Sequence, residues 1–203
     1  MAARARQIGL LGGTFDPVHR AHIALARAAL EAFALDEVRL MPCAQQALKS
    51  QRPTPAADRC AMLRLALADQ PGLTLDTREC YRSGKVYTYD TLRALQAAEP
   101  NACFWFILGM DSVCAFARWH RAAELAACCR FIAFDRPGVE PPERPFAPQL
   151  LAHRLRGPLS TLSGTAVREA LCRGLLPEAA LPPAVAAYLR APQNRARLYA
   201  PEA

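Results

Sequence analysis

The sequence lacks any long hydrophobic segment, although 52% of its 203 residues are hydrophobic. Its longest apolar run, residues 103–110, is as long as a strand and far shorter than the roughly 20 residues that cross a bilayer. The apolar residues 8–11 near the N-terminus are too few for a signal peptide and run directly into glycines. These absences predict a cytoplasmic protein with no membrane partner.

Metal-ligand spacing is also absent, although the chain contains eight cysteines. No two of them form a C-x-x-C pair, and Cys128 and Cys129 are adjacent. Several lie in apolar runs, which indicates ordinary buried thiols. We therefore expect no metal site built by the protein itself.

Lysine is almost absent, since Lys49 and Lys85 are its only occurrences, and arginine supplies nearly all of the net charge of +7. The arginines are scattered. A basic stripe that alternates with aromatic residues is typical of nucleic-acid binding, and the sequence has none. A site for polyanionic small molecules also needs positive charge. We prefer that explanation and expect no nucleic-acid partner.

Strand-like and helix-like patterns alternate along the chain, and their order predicts the architecture. The length suits one domain, residues 1–203, with a sizeable core. We expect strands at residues 8–11, 37–41, 73–76, 103–108, 130–134 and 158–162. We expect the main helices at residues 19–33, 58–70, 90–98, 124–129, 163–172 and 182–190, and Asp58 is expected to cap the second of them. We also expect a short helix opening at residues 111–112 and a frayed tail beyond residue 192. This alternation predicts an α/β fold with a Rossmann-like parallel sheet, helices on both faces and a small helical part at the C-terminus.

The chemistry is concentrated where the first predicted strand meets the first helix. Gly12 and Gly13 allow a tight turn and a close approach to a ligand, and the helix start beyond them suits a phosphate. His19 and His22 are three residues apart and share a helix face, so both can stabilise charge that develops on a phosphate. The alternative is a helix cap with two surface histidines.

The sequence GGTFDPVH, followed by a second histidine, resembles the signature of the H-x-G-H nucleotidylyltransferases. It is most similar to the bacterial nicotinate-mononucleotide adenylyltransferases, with Ala21 in place of the usual glycine before the second histidine. The resemblance implies that His19 and His22 are catalytic. It also implies a phosphate site made by Gly12, Gly13, Thr14 and Phe15.

A second motif opens the helix predicted at residues 163–172. Ser163, Gly164 and Thr165 offer hydroxyl and N–H groups to phosphate oxygens, and Arg168 shares a face with Thr165 and can bind a polyphosphate with its guanidinium fork. Taken alone, the motif is better explained as an N-cap with a surface arginine. It resembles the family's I-S-x-T-x-I-R triphosphate site.

Three further segments resemble ATP-binding parts of the family. Gly109, Asp111 and Ser112 match a G-x-D-S nucleotide segment, in which the serine is equally an N-cap. Arg136 matches a family turn. The alternative for Arg136 is a purely structural role. Lys49 stands where the family carries a P-P-H-K loop, although the preceding Pro-Pro-His is absent.

The narrower family assignment depends on two segments. The sequence YTYDTL from Tyr87 and Thr88 resembles the family's S-Y-T-x-D-T-L, whose backbone holds a pyridine ring together with a later tryptophan. Trp119, in a W-H-R sequence, matches that tryptophan and can stack on a flat ligand. Core packing is the alternative for Trp119.

The resemblance implies transfer of AMP from ATP to nicotinate mononucleotide, with Mg²⁺ bound to ATP, giving deamido-NAD and pyrophosphate. The implied partners are these small molecules, and a homo-oligomer is compatible with the sequence. One alternative is another adenylyl- or cytidylyltransferase of the same fold, such as the phosphopantetheine enzyme, and the pyridine-holding segments argue against it. Another is a nucleotide-sensing or RNA-binding module, and the two intact histidines argue against that.

Overall fold

The computed structural model describes residues 4–43, 53–82, 84–156 and 162–199. Within these residues the chain forms a six-stranded sheet in the order β3-β2-β1-β4-β5-β6, and all of its strand pairs are parallel. The strands are β1 (Arg6–Gly13), β2 (Glu37–Pro42), β3 (Leu73–Leu75), β4 (Ala102–Gly109), β5 (Arg130–Phe134) and β6 (Arg154–Leu155). This sheet confirms the predicted Rossmann-like α/β fold.

Helices connect successive strands or follow the last one. They are α1 (Arg20–Ala32), α2 (Ala56–Leu67), α3 (Thr88–Ala98), α4 (Met110–Ala115), α5 (Ala122–Cys128), α6 (Gly164–Cys172), α7 (Pro183–Arg190) and α8 (Pro192–Leu198). Single 3₁₀ turns lie at Phe116–Arg118, Pro148–Leu151 and Glu178–Ala180. Among the described residues, no helix is both long and apolar enough to span a bilayer.

The sheet separates two hydrophobic cores, because successive side chains of a strand point to opposite faces. Leu10 and Phe106, paired across β1 and β4, belong to the core that contains the buried residues of α3 and α5. Leu11 and Ile107 belong to the core that contains those of α1, α2, α6 and α7. Strands buried on both faces need near-continuous apolar runs, and this explains why the sequence predicted them.

The strand order reverses at β1, which pairs with β2 on one side and with β4 on the other. Loops after the carboxyl ends of such strands diverge and leave a crevice where ligands bind. Gly13 pairs with Pro42, and Gly109 pairs with Phe134, so these strand ends lie at one edge. The segments that follow them form the candidate site.

Two local predictions were wrong, and a third lies mostly outside the described residues. Residues 192–199 are not frayed: they form α8 and continue to Tyr199, which is only 4% exposed and packs with Leu198 against the core. Asp58 does not cap α2, since Pro55 is the N-cap residue. The last described strand is β6, and most of the strand predicted at 158–162 lies outside the described residues.

Candidate active site

The turn that joins β1 to α1, residues 12–18, is called the phosphate turn below. Phe15 is buried at 2% exposure and has a positive φ of 49°. A Cβ atom on Gly13 would come within 3.1 Å of the Phe15 ring, tighter than most real Cβ contacts, so this position favours glycine. The Phe15 side chain belongs to the core, and only its backbone can meet a ligand.

Asp16 anchors the phosphate turn to two distant segments. Its Oδ2 accepts a hydrogen bond from the Thr54 backbone N–H at 2.9 Å. Its Oδ1 accepts from the Thr54 hydroxyl at 2.7 Å and from the Tyr199 hydroxyl at 2.9 Å. Because Asp16 is only 5% exposed, such hydrogen-bond partners offset the cost of burying its carboxyl group.

Arg59 stabilises the phosphate turn through hydrogen bonds to backbone carbonyl oxygens. Its guanidinium, fully buried, donates to the carbonyl oxygen of Thr14 at 2.6 Å and to that of Thr54 at 2.9 Å. Sequence reasoning missed Arg59, because a lone arginine on an apolar helix carries no motif. The buried guanidinium places fixed positive charge beside the turn, which suits a polyanionic ligand.

His19 and His22 lie together at the start of α1. Their rings stack with centroids 3.7 Å apart, and the Phe15 ring meets His22 edge-on at 4.9 Å. His19 is only 4% exposed and His22 is half-buried, so neither is a surface histidine. His19 is the N-cap residue of α1, as the cap alternative predicted. Its Nδ1 atom is buried without a hydrogen-bond partner among the described residues, whereas Nε2 lies on the side of Gly164.

The two imidazoles are held neutral. Burial, together with the positive charges of nearby Arg136 and Arg168, lowers the pKa of His19 to about 4. Burial also lowers the pKa of His22 well below its ordinary value, with help from His19 and Arg136. Desolvation disfavours the charged form of a base, so near pH 7 both rings act as neutral hydrogen-bonding groups.

The second predicted motif lies against the first. An ideal Cβ on Gly164 would be 3.9 Å from His19 Nε2 and 3.3 Å from Arg168 Nη1. Arg168 donates to the carbonyl oxygen of Asp16 at 3.0 Å and to the Thr165 hydroxyl at 3.2 Å. The structure thus joins the start of α6 to the phosphate turn, as expected for two parts of one phosphate site.

Ser163 is the N-cap residue of α6. Its Oγ accepts the backbone N–H of Ala166 at 3.1 Å, as the cap interpretation predicted. The hydroxyl proton of a serine that accepts one hydrogen bond can still be donated. Ser163 therefore caps the helix and can also contact a phosphate oxygen.

A third group lies where β4 ends. Arg136 Nε is 3.3 Å from Asp111 Oδ1, and both side chains are about half exposed. A Cβ on Gly109 would come within 2.9 Å of Arg136 Nε, so glycine makes room for this pair. Gly109 itself is the N-cap of α4, so the alternative in which Ser112 is an N-cap is wrong.

The segments expected to hold a flat ring also meet. Tyr87, the N-cap residue of α3, stacks on His120 with ring centroids 4.2 Å apart, and the Arg121 guanidinium lies 4.1 Å above the Tyr89 ring. Trp119 stacks on Phe116 at 5.3 Å. Trp119 is only half-buried, so it both packs on the core and keeps some accessible surface.

Two predicted site residues remain, Lys49 and Thr88. Lys49 lies outside the described residues. Thr88 is the first residue of α3, where its contribution would come from the backbone N–H. The start of α3 has no side-chain cap within the described part of the chain, and the first N–H groups of a helix have no partner inside it.

Fold and site together define an α/β nucleotide-binding protein with a histidine pair, a phosphate turn and two arginines at its switch point. Residues 10–170 match the family described as cytidylyltransferase-like.

Relatives narrow this class. The chain is 40% identical over 189 residues to a "probable nicotinate-nucleotide adenylyltransferase" of Herpetosiphon aurantiacus, covering 91% of this chain and 96% of that one. A protein of the same name from Lactiplantibacillus plantarum is 36% identical, and the match covers 91% of this chain and 86% of that one. The chain belongs to the nicotinate-nucleotide adenylyltransferase family.

A solved structure has the same fold. The nicotinic acid mononucleotide adenylyltransferase of Plasmodium falciparum, in complex with NaAD, superposes with a TM-score of 0.71 at 20% identity. The match covers 91% of this chain and 95% of that one.

Proposed function

We propose that this nucleotidyltransferase transfers the AMP group of ATP to nicotinate mononucleotide, forming deamido-NAD and releasing pyrophosphate. The observation that carries the proposal is the meeting of His19, Gly164 and Arg168 beside the phosphate turn. Sequence segments far apart in the chain thereby form one site for a polyphosphate and a transferring phosphoryl group.

The attacking group is the phosphate of the mononucleotide. Its second pKa is about 6, so it is mostly ionised near neutrality and no general base is needed. The protein aligns this phosphate with the α-phosphorus of ATP and stabilises the charge that develops there. Neutral His19 and His22 fit this task as hydrogen-bonding groups, because burial lowers the pKa of both rings.

The leaving pyrophosphate is assigned to the start of α6. Ser163, Thr165 and Arg168 surround that helix terminus, where N–H groups and the helix dipole favour an anion. The hydrogen bonds of Arg168 to Asp16 and Thr165 orient its planar fork, which matches phosphate geometry. Residues 12–15 of the phosphate turn and Lys49 are assigned to the same ATP phosphates.

The nucleoside end of ATP is assigned to the group at the end of β4. Gly109 permits close approach of the nucleoside. Asp111 and Ser112 are expected to form hydrogen bonds with the ribose hydroxyls. Arg136 adds positive charge near both histidines. Magnesium enters as the MgATP substrate. The phosphates of ATP are the proposed magnesium ligands.

The start of α3 is assigned to the nicotinate carboxylate. Its terminal N–H groups, at Thr88 and the residues after it, lack a side-chain cap in the described structure and suit an anion. A carboxamide would turn its own NH₂ donor toward these donors, and an unpaired polar contact of this kind discriminates strongly. Trp119 is assigned to the pyridine ring by stacking.

The test is pyrophosphate release with MgATP and a panel of nicotinate mononucleotide, nicotinamide mononucleotide and phosphopantetheine. We expect turnover with the nicotinate nucleotide and a lower kcat/KM with the amide. An equal or reversed preference would reject the nicotinate assignment. Turnover with phosphopantetheine alone would move the protein to another nucleotidyltransferase activity.

A further inference from the structure

The C-terminal segment reaches the candidate site through the side chain of Tyr199. Tyr199 follows α8 and donates its hydroxyl to Asp16 Oδ1 at 2.9 Å, across 183 positions of sequence. The ring is only 4% exposed and packs with the core that contains the buried residues of α7. Both α7 and α8 lie beyond residues 10–170, the part that matches the family.

The hydroxyl of Tyr199 is a permanent donor. Its burial and the neighbouring Asp16 carboxylate raise the pKa of Tyr199 above its ordinary value. The phenol therefore stays protonated at any working pH and keeps donating to Asp16. With the two hydrogen bonds from Thr54, it supplies one of three donors to a carboxylate that is almost fully buried.

We propose that Tyr199 is a positioning residue: by holding Asp16, it fixes the phosphate turn, and through the turn it sets the position of His19 and His22. This inference rests on the proposed function, because it concerns the alignment of the same transferring phosphate. It assigns the C-terminal helices a part in catalysis that is separate from their packing.

The contacts around Asp16 explain how the effect is transmitted. The carboxylate is held by Thr54 and Tyr199, while the carbonyl oxygen of the same residue accepts from Arg168. Three residues further on, His19 is the N-cap residue of α1. A shift of the Asp16 side chain therefore moves the turn, the Arg168 fork and the first histidine together. A misplacement of about 1 Å at reacting groups can cost roughly a hundredfold in rate.

The experiment compares Tyr199→Phe, which removes only the hydroxyl, with Tyr188→Phe as the matched control. The Tyr188 hydroxyl on α7 lies 3.4 Å from Asp58 Oδ1, and Asp58 lies on α2, outside the phosphate turn. Both full-length variants are assayed with MgATP and nicotinate mononucleotide. Their melting temperatures and the ring resonances of the four histidines are measured by thermal unfolding and by NMR without ligand.

We expect Tyr199→Phe to lower kcat about tenfold, less than the cost of a full 1 Å displacement, with both KM values within about twofold. The resonances of His19 and His22 should shift, while that of His153, which packs against Trp105 at 4.9 Å, should not. Tyr188→Phe should match the unmodified protein in kcat and in all four resonances.

Four results would overturn the proposal: an unchanged kcat in Tyr199→Phe, an equal fall of kcat in both variants, a rise of KM alone, or unmoved resonances of His19 and His22. A lower melting temperature with unchanged kcat would show that Tyr199 contributes only to packing, and this result would also overturn the proposal. If the unmodified protein does not use nicotinate mononucleotide, the proposed function fails. The ligand-free NMR comparison then decides the positioning role by itself.

Discussion

The backbone N–H of His19 donates a hydrogen bond to Nδ1 of His22 over 3.2 Å. An imidazole nitrogen that accepts cannot carry the proton, so the neutral His22 ring has its proton on Nε2. The ring is thereby set as a donor at Nε2, and its stacking on His19 limits its rotation. A donor held in advance is what stabilises developing charge at low reorganisation cost.

Removing that donor should slow the chemical step. We expect His22→Ala to lower kcat by roughly a hundredfold or more, as for other lost donors to developing charge, with a smaller change in KM. Steady-state pyrophosphate release measures both constants. His153→Ala is the control, since His153 packs against Trp105 and Phe33, and it should leave turnover unchanged. Near wild-type kcat in His22→Ala would contradict the assigned role.

The lowered histidine pKa values also predict a pH dependence of stability. Between about pH 4 and pH 6.5 the unfolded chain protonates His19, whereas the folded chain, with a His19 pKa of about 4, does not. The unfolded state then binds more protons, so the free energy of unfolding falls as pH is lowered through this window. The loss approaches about 1.4 kcal/mol per pH unit for one such histidine.

Urea denaturation between about pH 7 and pH 5 measures this slope, and His19→Gln should flatten it by up to that amount. The exposed His120 offers the comparison, and His120→Gln should leave the slope near that of the unmodified protein. Equal slopes in the unmodified protein and in His19→Gln would show that burial does not hold this ring neutral.

Local patterns predicted the sheet and the phosphate turn well, because each depends on neighbouring residues. Apolar runs predicted β1 and β4, and the glycine pair predicted the turn between β1 and α1. The anchoring of Asp16 could not be predicted, since its partners Thr54 and Tyr199 are 38 and 183 positions away.

The C-terminal tail shows the same limit from another side. Polar composition predicted fraying, yet Leu198 and Tyr199 pack on the core. Two well-placed side chains outweigh the polar average. The prediction of the α4 N-cap was wrong for a different reason. Gly109 occupies the N-cap position, and the side chains of Asp111 and Ser112 do not indicate this.

Arg168 is predicted to serve ATP rather than the mononucleotide. Arg168→Ala should raise the KM for ATP by a factor that corresponds to about 1.5–3 kcal/mol, the range for a lost hydrogen bond to a charged group. Arg168→Lys keeps the charge and loses the fork, so it should recover only part of the affinity. Calorimetric titration with ATP and with nicotinate mononucleotide separates the two. Weakened mononucleotide binding with unchanged ATP binding would reverse the assignment of the subsites.

Trp119 is predicted to hold either pyridine nucleotide without discriminating between them. One face of its ring stacks on Phe116, and the side chain keeps accessible surface, so a flat ligand ring can stack on it. Nicotinate and nicotinamide rings are equally flat, whereas the N–H groups at the start of α3 distinguish their substituents. Trp119→Ala should therefore weaken both mononucleotides together and leave the ratio of their kcat/KM values nearly constant. Trp119→Phe should restore much of the binding, because a smaller aromatic ring still stacks. Competition assays with both mononucleotides measure the ratio directly. A ratio that collapses in Trp119→Ala would place the discrimination at the tryptophan and remove it from α3.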